Sequence, residues 1–444
     1  MNQPVLLFPA SSFTLVKMFL LFCLLIFSNS VFSQRQNFEI TLLPDSTGLM
    51  TSAIQNAIDK CHSLGGGKVH LSKGTFICGS LQLKSNITLQ IDKGSILQGS
   101  ASIEDYTNDA FIFGKDISNF NIQGEGVIDG VDCINPNGEE GFRGPHGIKL
   151  VNCKNIRIEG ITIKNAANWA INCRHCSRVE IKNVFIRGGH DGLHTRFCED
   201  FNVTGCDFRT GDDAFAGNDN RDFRVTKCKV NTSCNGFRMG CFKLTVKDCK
   251  FWGPGEYVHK IQKRNNMLSA FVHFSPNDEV TKLKSGKWRI ENVIIDQVDH
   301  VYMYNYRDGL WQTGKPVISI QFKNIKATEI LSAFNIIADT LKQFSLKVKN
   351  STFSFRNGAV YTDFTFEGSN TDSPSFFYVR NFKKIFLQQI TLNNSGANST
   401  LEAVNGKSLL LKDTSFNLNC SKPYNIKSVK SVIEKDIKVC LSKQ

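Results

Sequence analysis

The chain has 444 residues, 41% of them hydrophobic and 21% charged, with a formal net charge of +13. That apolar share supports a sizeable core and excludes an intrinsically disordered chain. A basic balance suits a polyanionic partner, but the Lys and Arg residues are scattered and form no stripe with aromatics, so an acidic polysaccharide is preferred over nucleic acid.

Residues 18–33 follow Lys17 and run Met-Phe-Leu-Leu-Phe-Cys-Leu-Leu-Ile-Phe-Ser-Asn-Ser-Val-Phe-Ser. They read as the apolar region and small-residue end of a signal peptide cut near Ser33. Residues 1–33 are thus expected to be removed, and 34–444 to form a secreted or periplasmic protein. The run is short for a membrane span of ~20 residues, and no later stretch is long and apolar enough to cross a bilayer. Up to Leu43 an edge segment is expected. Ala53, Ile54, Ala57 and Ile58 then recur at helical spacing within 49–61, and Gly65-Gly-Gly ends the helix. A short amphipathic helix there caps a first coil that would otherwise expose its core. Strands are expected at 68–71, 80–83, 87–91 and 95–97, separated by Gly, Asn and Asp turns.

From 115 to 255 the sequence repeats. Cys153, Cys176, Cys198, Asn220 and Cys241 each open a similar hexapeptide and step by 23, 22, 22 and 21. A period in that range with a strand in each unit means coils stacked one on another. Length alone would allow two or three domains, but a solenoid grows by adding coils, so 34–444 is read as one all-β domain. After Gly255 the register breaks, and residues 256–285 read as a long insertion on one face. Strand patterns return at 288–295 and 317–325 and continue weakly to about 413, and the tail with Cys420 and Cys440 covers the last coil.

Fifteen cysteines in an exported chain would ordinarily indicate a disulfide framework. Their placement argues otherwise. Cys206, Cys228 and Cys249 form a second ladder with steps of 22 and 21. Buried free thiols are expected at the ladder positions, with a few disulfides outside them. Cys173 and Cys176 have metal-like spacing, but no second pair with a matching His lies near, so no metal or cofactor is expected.

One constellation carries chemistry. Asp191 in Gly-His-Asp-Gly is followed 21 residues later by Asp212 in Thr-Gly-Asp-Asp, beside Asp213. Side chains one period apart sit in adjacent coils, about 4.8 Å apart at the backbone. Three carboxylates brought together repel, and crowding raises the pKa of at least one. Either a bound cation neutralises them or an acid–base site uses the splitting. Hydrolysis of a glycosidic bond needs such a set: one protonated carboxyl for the leaving oxygen and ionised carboxylates to activate water.

The sequence resembles glycoside hydrolase family 28, the polygalacturonases and related pectinases. The resemblance runs from about 45 to 255 and rests on Ala53-Ile-Gln-Asn-Ala-Ile-Asp-Lys-Cys, Gly65-Gly-Gly-Lys-Val, Gly124-Glu-Gly-Val-Ile-Asp-Gly, Asn165-Ala-Ala-Asn-Trp-Ala-Ile and the two aspartate motifs. It implies a right-handed parallel β-helix, an inverting mechanism without metal, Asp212 as general acid, and Asp191 and Asp213 on the water. The chain departs from the family pattern at several positions. The family's Asn-Thr before the first aspartate is Gly189-His190 here. Its His-Gly one coil beyond the aspartate pair is Asn235-Gly236, leaving His190 or His194 as candidate replacements. Its Arg-Ile-Lys, which holds the uronate carboxylate, has no clean match, and Arg238, Lys260 and Arg264 are the candidates. Asp191, Asp212 and Asp213 are therefore expected to be catalytic, and His190, His194, Asn235, Arg238 and Lys260 to face the substrate. A polysaccharide lyase using a basic residue and Ca²⁺, and a glycan-binding β-helix without activity, remain alternatives. A monomer is expected.

Overall fold

Successive repeats fold as coils of three short strands, and each strand pairs in parallel with its counterpart one coil away. This computed structural model describes residues 38–274, 285–306, 316–356, 376–394, 400–418 and 423–441. The expected signal segment 1–33 lies outside them. The architecture is a right-handed parallel β-helix, the hand that strand-to-parallel-strand crossovers take.

Three sheets run along its axis. Sheet A holds Ile171–Arg174 and Leu193–Arg196, sheet B holds Ser177–Lys182 and Glu199–Thr204, and sheet C holds Phe185–Gly188 and Asp207–Thr210. Strands Phe215–Thr226 and Asn235–Lys247 bend to serve both A and B. The register is regular: Leu193 pairs with Phe215, and Phe215 with Phe237.

Side chains alternate in and out, so every second residue of each strand enters the interior. Aromatic residues stack there along the axis. Phe215 lies 4.4 Å from Phe237 between ring centroids, and Phe237 lies 5.4 Å from Phe271. The helix Thr51–Ser63 buries Ile54, Ala57, Ile58 and Cys61, as a cap for the first coil requires. The edge strand Glu39–Leu42 pairs with Gly67–Leu71. The strand Gly74–Cys78 was not legible, because Gly74 and the short spacing disguised it.

The cysteine ladder works through hydrogen bonds. The amide of Cys176 donates to Cys198 Sγ at 3.4 Å, and the Cys198 thiol donates to the Cys173 carbonyl at 3.4 Å. Asn220 fills the same rung: its Oδ1 accepts from the Cys198 amide at 3.1 Å, and its Nδ2 donates to the Thr195 carbonyl at 3.0 Å. The Cys198 and Asn220 rungs thereby satisfy turn amides. Every described cysteine is a free thiol, and all but Cys440 are buried. The expectation of disulfides elsewhere is thus not met among the described residues; Cys61 and Cys133, for example, donate to the Lys68 and Ala101 carbonyls instead.

Two sequence boundaries are corrected. The irregular segment after Gly255 ends at Asn266, and Met267–His273 rejoins sheet A against Asn235–Met239. Its alternation was hidden because all seven residues are buried. Residues 275–284 lie outside the described residues. The tail does not fold over the last coil: Tyr424–Leu441 adds a further parallel strand to Leu401–Leu418. Cys420 lies outside the described residues.

Gly217 marks the bulge where the strand turns from sheet A to sheet B. Its φ is +119°, and a Cβ there would meet the Thr195 carbonyl oxygen at 1.8 Å. Gly217→Ala is expected to destabilise the chain by at least about 2 kcal/mol from strain and clash together. Gly48→Ala, with nothing within 4 Å of the added carbon, should leave thermal unfolding unchanged.

Candidate active site

Four consecutive turns from sheet C to sheet A build the site, because each presents the same positions one coil further on. The first, second, third and fourth turns precede Ile171, Leu193, Phe215 and Phe237. The register aligns Trp169 with Asp191, Asp213 and Asn235 in one column, and Asn168 with His190, Asp212 and Cys234 in the next. The spacing is 22 rather than 21 residues, so Asp213, not Asp212, stands in line with Asp191. Carboxylate oxygens of Asp191, Asp212 and Asp213 all lie within 4.8 Å of one another. The three sequence-predicted acids therefore meet.

They line a cavity of about 310 Å³ together with Glu139, Glu140, Arg143, Trp169, His194, Asn235, Arg238 and His259. Asp212 is the outermost acid, with 18% of its side chain exposed against 5% for Asp191 and 3% for Asp213. Its backbone carbonyl accepts hydroxyl hydrogen bonds from Thr210, at 2.8 Å, and Thr232. Its Oδ1 accepts the Asp213 amide at 2.9 Å.

Arg238 Nε donates to Asp213 Oδ2 at 2.7 Å, and Asn235 Nδ2 donates to Asp213 Oδ1 at 2.8 Å. Ser269 Oγ in turn donates to Asn235 Oδ1 at 2.7 Å and fixes its amide. His194 Nδ1 lies 2.9 Å from Asp191 Oδ2, and its ring stacks on Trp169 with centroids 3.6 Å apart. His190 does not line the cavity. Its Nδ1 accepts from Arg143 Nη1 at 3.2 Å, which fixes its remaining proton on Nε2 when neutral. Its ring stacks on Phe142. Lys260 lies at the rim, where its Nζ pairs with Asp132 Oδ1 at 2.5 Å. Of the five residues expected to face substrate, His194, Asn235 and Arg238 line the cavity, and His190 and Lys260 support its edges.

Two walls flank the cavity: the one from residues 130–145 was not foreseen, and the one after Gly255 was expected from the insertion, though not the approach of His259 to Asp212. Residues 130–145 contribute Glu139, Glu140 and Arg143, whose Nε donates to Glu140 Oε2 at 2.7 Å while Nη2 stands 3.9 Å from Asp212 Oδ2. The segment 253–266 brings His259 Nε2 to 3.5 Å from Asp212 Oδ1. His259 Nδ1 accepts the amides of Ile261 and Gln262 at 3.2 and 3.0 Å, so a neutral ring carries its proton on Nε2, aimed at Asp212. Asn231 Oδ1 accepts the Glu256 amide at 2.8 Å and Arg264 Nη1 donates to the Ser233 carbonyl at 2.5 Å, holding the segment to the turns. The Lys260–Asp132 pair joins the two walls over Gly189, where a Cβ would meet the Lys260 side chain at 2.5 Å.

Burial, then the charges of Asp212 and Asp213, pushes Asp191 well above the ordinary carboxylate range. Burial also raises Asp213, with Arg238 opposing. Burial acts upward on Asp212 too, but the contact with His259 and the charges of Arg238 and Arg143 outweigh it and hold this carboxyl below its ordinary range. Of the three, Asp212 is thus the carboxyl that ionises most readily, and the deep pair holds a proton more tightly than it does. Burial and Arg238 lower His194, and burial and Arg143 lower His190 to about 3, so both rings are neutral near pH 7. The three aspartates, or Asp212 with Cys234 and His259, offer atoms close enough for a cation. The guanidiniums of Arg143 and Arg238 already supply countercharge there.

The family model described as glycosyl hydrolases family 28 matches residues 61–241. An exo-poly-alpha-D-galacturonosidase of Dickeya chrysanthemi is 32% identical over 29% of this chain and 25% of its own length. A polygalacturonase of Ralstonia solanacearum is 29% identical over 27% of this chain and 30% of its own length. The chain thus spans about a quarter to a third of those relatives. The solved exopolygalacturonase of Thermotoga maritima superposes with a TM-score of 0.51 at 15% identity, covering 90% of this chain and 92% of that one, and shares the fold. No helix among the described residues is long and apolar enough to cross a membrane.

Asp191→Asn removes a carboxyl whose pKa folding raises. Ionising Asp191 costs the folded state more than the unfolded one, so the penalty grows as pH rises above the ordinary carboxylate range near ~4. The variant should melt roughly 1–4 °C higher than wild type at pH 7. The difference should vanish as pH falls below ~4, as differential scanning calorimetry would record.

Proposed function

We propose that this chain, which belongs to glycosyl hydrolases family 28 through residues 61–241, hydrolyses glycosidic bonds of a pectin-like acidic polysaccharide outside the cytoplasm. The observation that carries the reading is the meeting of three carboxylates within 4.8 Å on the floor of a sugar-sized cavity. The apolar run at 18–33 supports export.

Asp212 is the proton donor, because it is the carboxyl most open to the cavity. In the free site it is ionised, and the proton rests on Asp191 or Asp213. A sugar bound over Asp212 removes its water and raises its pKa, which draws the shared proton onto it. Asp191 and Asp213 are then both ionised and hold the attacking water. His259 and Arg143 orient Asp212, and Arg238 with Asn235 orients Asp213. Proton donation and base assistance from such groups each contribute typically ~10²–10⁴-fold.

The two alternatives drawn from sequence lose support. A lyase would need a free base, but Lys260 pairs with Asp132 and Arg238 with Asp213. An inactive binder was favoured by the missing family histidine, but His259 brings an imidazole to Asp212 from the wall.

The stereochemical course has two readings. The resemblance implies inversion, and a third carboxylate gives the water a second anchor. The alternative is retention, in which a second carboxylate attacks the sugar and forms a covalent intermediate. Inversion is adopted because Asp213, held by Arg238 and Asn235, is placed to fix water rather than to attack. Proton NMR of the first-formed anomer decides: an anomer opposite to the substrate's supports inversion, and the same anomer establishes retention.

Asp212→Asn should lower the release of reducing ends from pectic polysaccharide by about 10²–10⁴-fold while leaving the melting temperature within a few degrees. Wild-type activity should survive a chelator. Loss of activity in the chelator would assign the cluster to a cation instead.

A further inference from the structure

The three basic residues considered for holding a uronate carboxylate are all engaged within the protein. Arg238 Nε bonds Asp213 Oδ2 at 2.7 Å, and its guanidinium lies 4.4 Å over the Phe274 ring. Lys260 pairs with Asp132 at the rim. Arg264 donates to the Ser233 carbonyl, the Asn266 carbonyl and Gln262 Oε1. The fourth cation near the site, Arg143, bonds Glu140 and Asn168 and faces His190.

The lining itself is acidic. Glu139, Glu140, Asp191, Asp212 and Asp213 stand against Arg143 and Arg238. Even counting Asp191 and Asp213 as neutral, Glu139, Glu140 and Asp212 outnumber the two guanidiniums. A uronate entering this cavity would add a fourth negative charge, and like-charge juxtaposition in a partly desolvated site is strongly unfavourable.

A neutral sugar meets no such penalty. Carboxylates are strong acceptors for hydroxyl hydrogen bonds, and Glu139 and Glu140 offer them on one wall. Trp169, backed by His194, lends an apolar surface to ring C–H groups. The net charge of +13 lies largely outside the cavity, so it can still attract an acidic polymer whose carboxylates remain outside.

We propose that the cavity over Asp212 seats a neutral pyranose, and that Glu139 and Glu140 exclude uronic acids from it. The substrate class is then an acidic polysaccharide cut at a neutral sugar. This rests on the hydrolase reading for the cutting, but not for the binding.

The test compares methyl α-D-galactopyranoside with the corresponding methyl galactosiduronate, two probes that differ only in oxidation at C6. Affinity for the wild-type chain is measured by saturation-transfer NMR at pH 7 and low salt. The neutral glycoside should bind at least ~10-fold more tightly, and the double variant Glu139→Gln, Glu140→Gln should narrow that ratio by strengthening uronide binding. Neutral binding no better than uronide binding, or a ratio that the double variant leaves unchanged, overturns the proposal. Polymer digestion with end-labelling and mass spectrometry separates the two readings. A uronic acid at the cleaved position overturns the neutral seat and leaves the hydrolase standing. Neutral-sugar preference without any cleavage supports the seat and sinks the hydrolase.

Discussion

Everything at the site depends on the backbone hydrogen bonds between coils. Parallel pairing sets neighbouring coils about 4.8 Å apart, and the register Leu193–Phe215–Phe237 carries that spacing through the turns. Asp191 and Asp213 therefore cannot avoid one another. The Gly192 amide donates to the Asp213 carbonyl at 2.9 Å, so even the turns that bear the acids are tied coil to coil. Separating the carboxylates would mean breaking the ladder.

The fold offsets this repulsion locally. Arg238 comes from the next coil of sheet A and pairs with Asp213. Arg143 and His259 come from the two long connections and act on Asp212. The arrangement is graded: burial and crowding raise the deep carboxyls, while His259 and the guanidiniums lower the outer one. In the proposed function this gradient lets the site store a proton in the free state and release it toward the cavity once a sugar replaces water over Asp212. The walls do more than enclose, because His259 has its tautomer set by two amides of its own segment.

The coils, the capping helix and the three aspartates were legible in the sequence because they follow from periodicity. Cys153, Cys176, Cys198, Asn220 and Cys241 mark one rung after another, at a step that stays between 21 and 23 residues. The insertion after Gly255 was legible as a wall at one end of the groove, but the wall from residues 130–145 and the contacts both walls make were illegible for the opposite reason. Arg143 and His259 lie in connections without period, and their approach to Asp212 depends on how those connections fold back. His259 could be noted as part of a basic, irregular segment, but nothing in its neighbours marked it as facing an acid 47 positions earlier. His190 misled because adjacency to Asp191 in sequence places it in the neighbouring column, where it serves Arg143. Met267–His273 was hidden because a strand buried on every residue shows no alternation.

The central claim is that crowding keeps a proton in the cavity at a pH where separate carboxylates are ionised. Infrared difference spectroscopy between wild type and Asp191→Asn at pH 6 tests it most directly. The account predicts a protonated-carboxyl stretch in wild type that is lost or shifted in the variant and moves on deuteration. A wild-type spectrum with only ionised carboxylates at that pH would contradict it.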